Sequence, residues 1–377
     1  MDSYEKVISK IDTYIAKTYN DRKNITYQTE KLNSLTNQIF HVTITENNKI
    51  LEEIIYRNFG EFSSMVDRAF EESVIKALSD KGEGPKIKDT DHTTYRIDEY
   101  VINAKHLNQN ELINEDNINK IIKALISYEE IAPIYEYNVN DNKINIKMLK
   151  SDILFKVNTL NNYYDVLMNK MLQKGMDRLN QFDARIRQHQ ELMHNEHINS
   201  QLKEINTFAN GIQSIITSIY PRQGYFILNH NDIFRLNFLI NKEQFDLIDH
   251  EYGGLNLIGY DIVNYLIETS YDYSPKYTYD SSNVNMEKYY QVYLQYIEHF
   301  LHSKVFSFFT QSKEGKEFIN SIRQREYFIN LFKLNSIFWF VVALVYLDFD
   351  SYINDKTTDY LAITYNRYDY FKIIDKL

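Results

Sequence analysis

The residues best suited to chemistry lie between Ile227 and Gly254, in ILNHNDIFRLNFLINKEQFDLIDHEYGG. Asp232 is followed five residues later by Asn237, and a second acid, Asp249, ends the run FDLID. Moving a γ-phosphoryl group from ATP to an alcohol needs a carboxylate to accept the hydroxyl proton and oxygen ligands for magnesium. It also needs cationic or backbone donors for the remaining phosphates. A carboxylate on a loop, an amide after it and a carboxylate ending the next strand supply the first two. On spacing alone, Asp232 and Asn237 also suit a helix cap and Asp249 a strand end, so the pattern leaves both readings open.

The elements that must carry these residues change character near residue 100. Before it, IFHVTIT (Ile39 to Thr45) and LEEIIYRNFG (Leu51 to Gly60) alternate as strands do, with the turn-like ENNK between them. Met65, Phe70, Val74, Ile75 and Leu78 then recur at helical spacing and stop at Gly82, and YRIDEYVI (Tyr95 to Ile102) is one more strand. After Lys105 almost everything outside the stretch quoted above has helical spacing. The expected architecture is α+β: a small β-rich lobe over 1–103 and a large, mainly helical lobe over 104–377.

The totals narrow the function classes. A chain of 377 residues, 44% of them hydrophobic, buries enough surface for one large domain or two lobes. Its net charge of −10, with both signs mixed along the chain, argues against nucleic acid and suits a small cationic substrate. With no cysteine there is neither a disulfide framework nor a thiolate metal site. The start, MDSYEKVISKIDTY, lacks the apolar core of a signal peptide, so a cytoplasmic location is expected. SIFWFVVALVYL (Ser336 to Leu347) falls short of the roughly 20 residues that cross a bilayer and reads as a buried helix. The fifty-residue stretch from Met171 to Tyr220 reads as one long helix or two joined ones, and its His189, His194 and His197 have the spacing of a solvated face, not of a zinc motif.

The stretch HNDIFRLN resembles the His-x-Asp-x-x-x-x-Asn motif of the choline and ethanolamine kinases and their aminoglycoside phosphotransferase relatives. IDHEYGGLNLIGYDIVNYLIE is similar to the longer motif of the choline/ethanolamine kinases at Asp249, Glu251, Tyr252, Asn256, Tyr260, Asp261 and Glu268, with every spacing kept. His250 departs from it, standing where the family has Phe or Trp, and TSYDYS follows as the family's Tyr-Asp-Tyr does. In the first hundred residues, IIYRNFG resembles the strand whose Arg contacts ATP phosphates, and DRAFEESVIKALSDKGEGPKI resembles the family's Asp-Arg-x-x-Glu helix and Gly-x-Pro-Lys turn. SLTNQIF resembles its nucleotide loop, with Asn33 and Ser34 where glycine is usual.

This resemblance implies a two-lobed protein-kinase-like fold and magnesium-dependent transfer of the ATP γ-phosphate to choline, or to ethanolamine by the same mechanism. Asp232 would be the base, Asn237 and Asp249 the Mg2+ ligands with Glu251 in support. Arg57, held by Glu71, would clamp phosphate beside Thr36 and Asn37, with the backbone near Glu99 and Val101 facing adenine. Tyr252, Tyr273 and Trp339 would form an aromatic box around the substrate ammonium, faced by Glu268. A quaternary ammonium has no N–H to donate, so aromatic faces and a diffuse carboxylate must hold it. Two further box positions fall on Val342 and Ile363, leaving Tyr346 or Tyr365 to compensate from neighbouring turns. The resemblance also implies a homodimer. A non-catalytic pseudokinase and a kinase for another amino alcohol, such as an antibiotic, are the competing readings.

Overall fold

The computed structural model describes residues 3–32, 37–60, 66–131, 135–139, 142–146, 155–157, 163–220, 224–241, 244–272, 277–303, 313–354 and 359–376. The chain divides into two compact units, residues 1–106 with 238–253, and residues 107–237 with 254–377.

The first unit begins with α1 (Ser3–Thr18), β1 (Ile25–Leu32), β2 (Gln38–Glu46) and β3 (Lys49–Asn58). It continues through α2 (Arg68–Lys81), β4 (Ile87–Thr90) and β5 (Tyr95–Glu99). The strands form one antiparallel sheet in the order β1-β2-β3-β5-β4. Alternation in β2 and β3 turns Phe40, Val42, Ile44, Ile54 and Tyr56 to one face, where Val7, Ile11 and Tyr14 of α1 close the core with Tyr95 and Ile97. The expected strands form, the one expected over Tyr95 to Ile102 ending at Glu99, and α2 ends at Gly82, which adopts φ 76° and whose N–H donates to the carbonyls of Leu78 and Ser79, while Met65 lies outside the described residues. Asp67 caps the other end by accepting from the Phe70 N–H at 3.1 Å. The sheet carries two helices and not one. The spacing of Val7, Ile11 and Tyr14 was the signal for α1, and the alternation in ITYQTEKL was the signal for β1.

The second unit opens with α3 (Glu115–Glu129) and three strands, β6 (Tyr135–Val139), β7 (Asn142–Ile146) and β8 (Phe155–Val157). Then come α4 (Tyr163–Gln188), α5 (Glu196–Ile219) and β9 (Gly224–Asn229). The β6–β7 hairpin departs from the expected all-helical run. Its YEYNV and NKINI segments alternate with period two, a pattern too short to stand out from the helical texture around it. α4 and α5 are the two joined helices expected, with Asn195 capping the second through the Ile198 N–H at 3.1 Å.

The chain then returns to the first unit as the hairpin β10 (Phe238–Asn241) and β11 (Gln244–Leu247), tied to it by the antiparallel bridge of Lys105 with Ile240. Back in the second unit, β12 (Gly254–Leu257) pairs with β9 and leads into α6 (Tyr260–Glu268), β13 (Tyr271–Asp272), β14 (Thr278–Tyr279) and α7 (Met286–His302). The unit ends with α8 (Lys313–Ile322), α9 (Arg325–Val345), α10 (Phe349–Asn354) and α11 (Tyr360–Asp375).

SIFWFVVALVYL lies mostly in α9, whose 21 residues make it longer than the apolar run alone suggested. It is long and apolar enough to cross a membrane, but 78% of its apolar window is buried inside the protein, as in a core helix. α6 is buried along its whole length. It starts at Gly259, which adopts φ +83°, and a Cβ there would stand 2.6 Å from the Tyr293 ring. Only glycine meets both conditions. Gly259→Ala should therefore cost roughly 2–5 kcal/mol, left-handed strain plus overpacking, read as a lower urea midpoint with an unchanged m-value.

Candidate active site

In the first unit, Arg57 of β3 and Arg96 of β5 are direct cross-strand partners and so share one face of the sheet. Two guanidiniums placed this way repel unless acids surround them. Arg96 pairs with Glu71 at 2.8 Å and donates to Asp98 at 2.9 Å, and Arg57 donates to Asp249 at 2.9 Å. Arg68 donates to Glu71 at 2.5 Å, approaches Glu251 at 3.5 Å and covers the Phe59 ring at 3.9 Å.

Glu71 has no exposure at all. Burial opposes its charge, but the guanidiniums of Arg96, Arg68 and Arg57 outweigh that penalty and hold its carboxyl down at about 2. The sequence expectation that Glu71 pairs directly with Arg57 is corrected. Glu71 is held by Arg68 and Arg96, while Arg57, though drawn by the charge of Glu71, contacts Asp249. The fixed register accounts for this, because it puts Arg96 opposite Arg57 and leaves Glu71 to the two arginines nearer to it.

Asp249 lies two residues beyond β11, in the left-handed region at φ 66°. A non-glycine residue is held there at a cost of order 1–3 kcal/mol, which marks a position set by its surroundings. Glu251 follows in the short helical turn His250–Tyr252, where burial and the charge of Asp249 raise its carboxyl above the usual range against the pull of Arg68 and Arg57. Asn37 joins the same group, donating from Nδ2 to Glu251 at 3.4 Å and accepting from the Gly60 N–H at 3.2 Å. Asn37, Arg57, Glu71, Asp249 and Glu251 are thus one connected network. Glu99 and Val101 lie apart from it at the end of β5, where the Glu99 N–H donates to the Lys86 carbonyl at 2.8 Å and the Val101 carbonyl accepts from Ala104 at 3.2 Å. Thr36, with Asn33 and Ser34, lies outside the described residues.

In the second unit the loop after β9 carries Asp232, half-buried beside a buried Asn237. Asn237 Nδ2 donates to the Asp232 carbonyl at 2.8 Å and to its carboxylate at 3.1 Å, which turns the amide oxygen into the group free to accept a cation. Three side chains with no assigned role in the sequence reading hold this loop. Asp261, in the first turn of α6, accepts from the His230 N–H at 2.6 Å and the Asn231 N–H at 2.8 Å. Asn264 accepts from the Ile233 N–H at 2.5 Å, and Asn256 donates to Asn231 Oδ1 at 2.8 Å. The signal for Asp261 and Asn264 was a polar pair three apart in an otherwise apolar helix. Burial pushes Asp261 up to about 7 despite its two backbone donors.

Among the assigned substrate residues, Glu268 ends α6 and Trp339 lies in α9, and both meet Arg367 of α11. Tyr252 belongs to the first unit and Tyr273 falls outside the described residues. Tyr365 turns to Glu204 and Lys372, and Tyr346 stacks on Tyr360. Among the described residues no three His, Asp or Glu side chains gather as a metal cluster. Asp249 in the first unit and Asn237 in the second each carry an oxygen of a kind that Mg2+ takes, one a carboxylate and the other an amide.

Two substitutions test these supports. Arg96→Met strips two buried acids of their partner and should cost about 3–5 kcal/mol in a denaturant melt. Asp261→Asn leaves one buried N–H without an acceptor, about 1–3 kcal/mol, and should speed amide exchange at His230 and Asn231. The native state keeps the Asp261 proton up to about pH 7, whereas an unfolded Asp loses it near its ordinary value of 3.8. Wild-type stability from this group therefore falls as pH rises between those values, and the deficit of Asp261→Asn should shrink over the same window.

Comparison with known proteins agrees with these motifs. A family model described as choline/ethanolamine kinase matches residues 29–372. The solved choline kinase of Cryptosporidium parvum covers 99% of this chain and 96% of its own at 16% identity, with a TM-score of 0.62. The Plasmodium vivax ethanolamine kinase covers 94% and 84% at 15% identity, with a TM-score of 0.56. These likenesses establish a protein-kinase-like fold. Probable ethanolamine kinase B of Dictyostelium discoideum is 41% identical over 64 residues, a match spanning 16% of this chain and 14% of that protein. With its Asp232–Asn237 loop, its Asp249 network and a family model spanning nearly its whole length, the chain belongs to the choline/ethanolamine kinase family.

Proposed function

We propose that the protein transfers the γ-phosphoryl group of ATP, with Mg2+, to the hydroxyl of choline, with ethanolamine as the second acceptor. The observation that carries this reading is the Asp232–Asn237 pair, one amide donating to both the backbone carbonyl and the carboxylate of Asp232 in a loop fixed by Asp261, Asn264 and Asn256. Asp232 orients the alcohol and takes its proton as the oxygen–phosphorus bond forms and the bond to ADP breaks. Asn237 and Asp249 are assigned as Mg2+ ligands, with Glu251 supporting Asp249 through charge. When bound, Mg2+ would neutralise charge on the phosphates. Arg57, its guanidinium kept charged beside Asp249, is assigned to phosphate, and Thr36, Asn37, Glu99 and Val101 to the nucleotide.

Support for a cationic acceptor comes from the surroundings of Glu268 and Trp339. A buried carboxylate and an indole face already gather around one organic cation, the Arg367 guanidinium, and the same chemistry suits an ammonium. Tyr252 and Tyr273 are assigned to the same box.

The test is ADP release with Mg2+ and ATP, offering choline and ethanolamine separately. Wild-type turnover that Asp232→Asn lowers about 10²-fold to 10⁴-fold is expected, and the faster alcohol names the acceptor. Folded wild type that turns over neither alcohol would overturn the proposal in favour of a non-catalytic relative or another acceptor.

A further inference from the structure

Arg367 is one of the most deeply buried charges in the protein, 2% exposed, and its Nη2 donates to Glu268 Oε1 at 2.6 Å. Its guanidinium carbon lies 4.0 Å from the centre of the Tyr271 ring and 5.8 Å from that of Trp339. Tyr271 is itself fixed by stacking on Tyr279 at 4.9 Å, and Asn366, beside Arg367 in sequence, donates to the Tyr277 hydroxyl at 3.2 Å. Two of the groups that enclose Arg367, Glu268 and Trp339, are those assigned above to the substrate ammonium.

Resting on that reading, we propose that Arg367 is a positioning residue of the amino-alcohol subsite, holding the Glu268 carboxylate and fixing the charge the subsite presents to the ammonium. A carboxylate at the end of a buried helix, with no cation of its own, is both costly and free to rotate. The guanidinium removes both problems. It binds one oxygen of Glu268 along a fixed direction, and its flat faces pack on Tyr271 and Trp339. The subsite then offers an arriving ammonium an oriented carboxylate and aromatic surface. Lysine cannot reproduce this, because its ammonium neither stacks as a plane nor donates through a rigid fork. The competing account is an ordinary buried ion pair, which packed apolar side chains replace without functional effect.

The experiment compares wild type, Arg367→Met, Arg367→Lys, Glu268→Gln and the double variant Glu268→Gln/Arg367→Met. KM for choline and for ethanolamine, KM for ATP and kcat are measured beside thermal melts. Binding of each alcohol is followed by the emission of Trp339, the chain's single tryptophan, which reports this subsite without turnover. Arg367→Met should raise the alcohol KM about 10-fold to 100-fold, the range for losing a hydrogen bond between charged groups, with ATP KM unchanged. Arg367→Lys, which keeps the charge, should fall between wild type and Arg367→Met. The double variant should be no worse than Glu268→Gln alone, because Arg367 acts through Glu268.

An Arg367→Met or Arg367→Lys protein whose melting temperature drops while its alcohol KM and Trp339 titration stay at wild-type values would overturn the inference. It would leave the kinase reading standing. Wild type that neither turns over nor binds either alcohol would overturn the kinase reading, and this inference with it.

Discussion

The arrangement of the second unit depends on a single buried carboxylate that accepts two consecutive backbone N–H groups. A loop that crosses the interior between strands must find acceptors for its amides, because water is absent there to supply them. Asp261 provides both oxygens to His230 and Asn231, and Asn264 provides the next to Ile233. The cost is a charge with no solvent, which shows in the raised protonation range of Asp261. Apolar residues would avoid that cost but would leave three amides unpaired, and those together cost more than one partly compensated carboxylate. Gly259 is needed for the same reason, since it lets α6 start where its first-turn acid reaches the loop.

The first unit solves a related problem with ions. Cross-strand register places Arg57 and Arg96 side by side, an arrangement that persists only inside a shell of acids. Glu71, Asp98, Asp249 and Glu251 form that shell, with Arg68 as a third cation. Burial raises the Glu251 and Asp98 carboxyls, while Glu71, enclosed by three guanidiniums, is held low.

Much of this was legible in the sequence, and the reasons for the remainder are physical. Strands β2, β3 and β5 and helix α2 announce themselves through alternation, period and Gly82, because each has one face in a core and one outside it. The β6–β7 hairpin was hidden by its shortness. Asp232, Asn237 and Asp249 could be singled out in the sequence because phosphoryl transfer would fix residue type and spacing together. The partner of Arg57 was misassigned because ion pairs form between elements, and no spacing along a chain encodes which of four nearby acids faces which arginine. Arg367 was missed for that same reason: in YNRYDYF it looks like a surface charge, and only the packing of α11 on α9 and α6 makes it the counter-ion of Glu268.

The two central helices show why so few residues suffice. On α6, Asp261, Asn264 and Glu268 stand three and then four residues apart, so they form one stripe along a single face. The first two hold the loop of Asp232, and the last holds Arg367. On α9, Asn335 and Trp339 are likewise four apart, the first accepting from Asn264 Nδ2 at 3.4 Å and the second packing on Arg367. The first stripe lies in a helix buried along its whole length and the second in the largely buried α9. Each stripe is therefore fixed by the core packing of its own helix, with no flexible connection between its members. The loop of Asp232 and the carboxylate of Glu268 are thereby set relative to each other by helix geometry, about 1.5 Å of rise per residue. A reaction that aligns a hydroxyl on one carboxylate while holding an ammonium on another needs that distance to be constant, and a rigid helix supplies it more reliably than any loop.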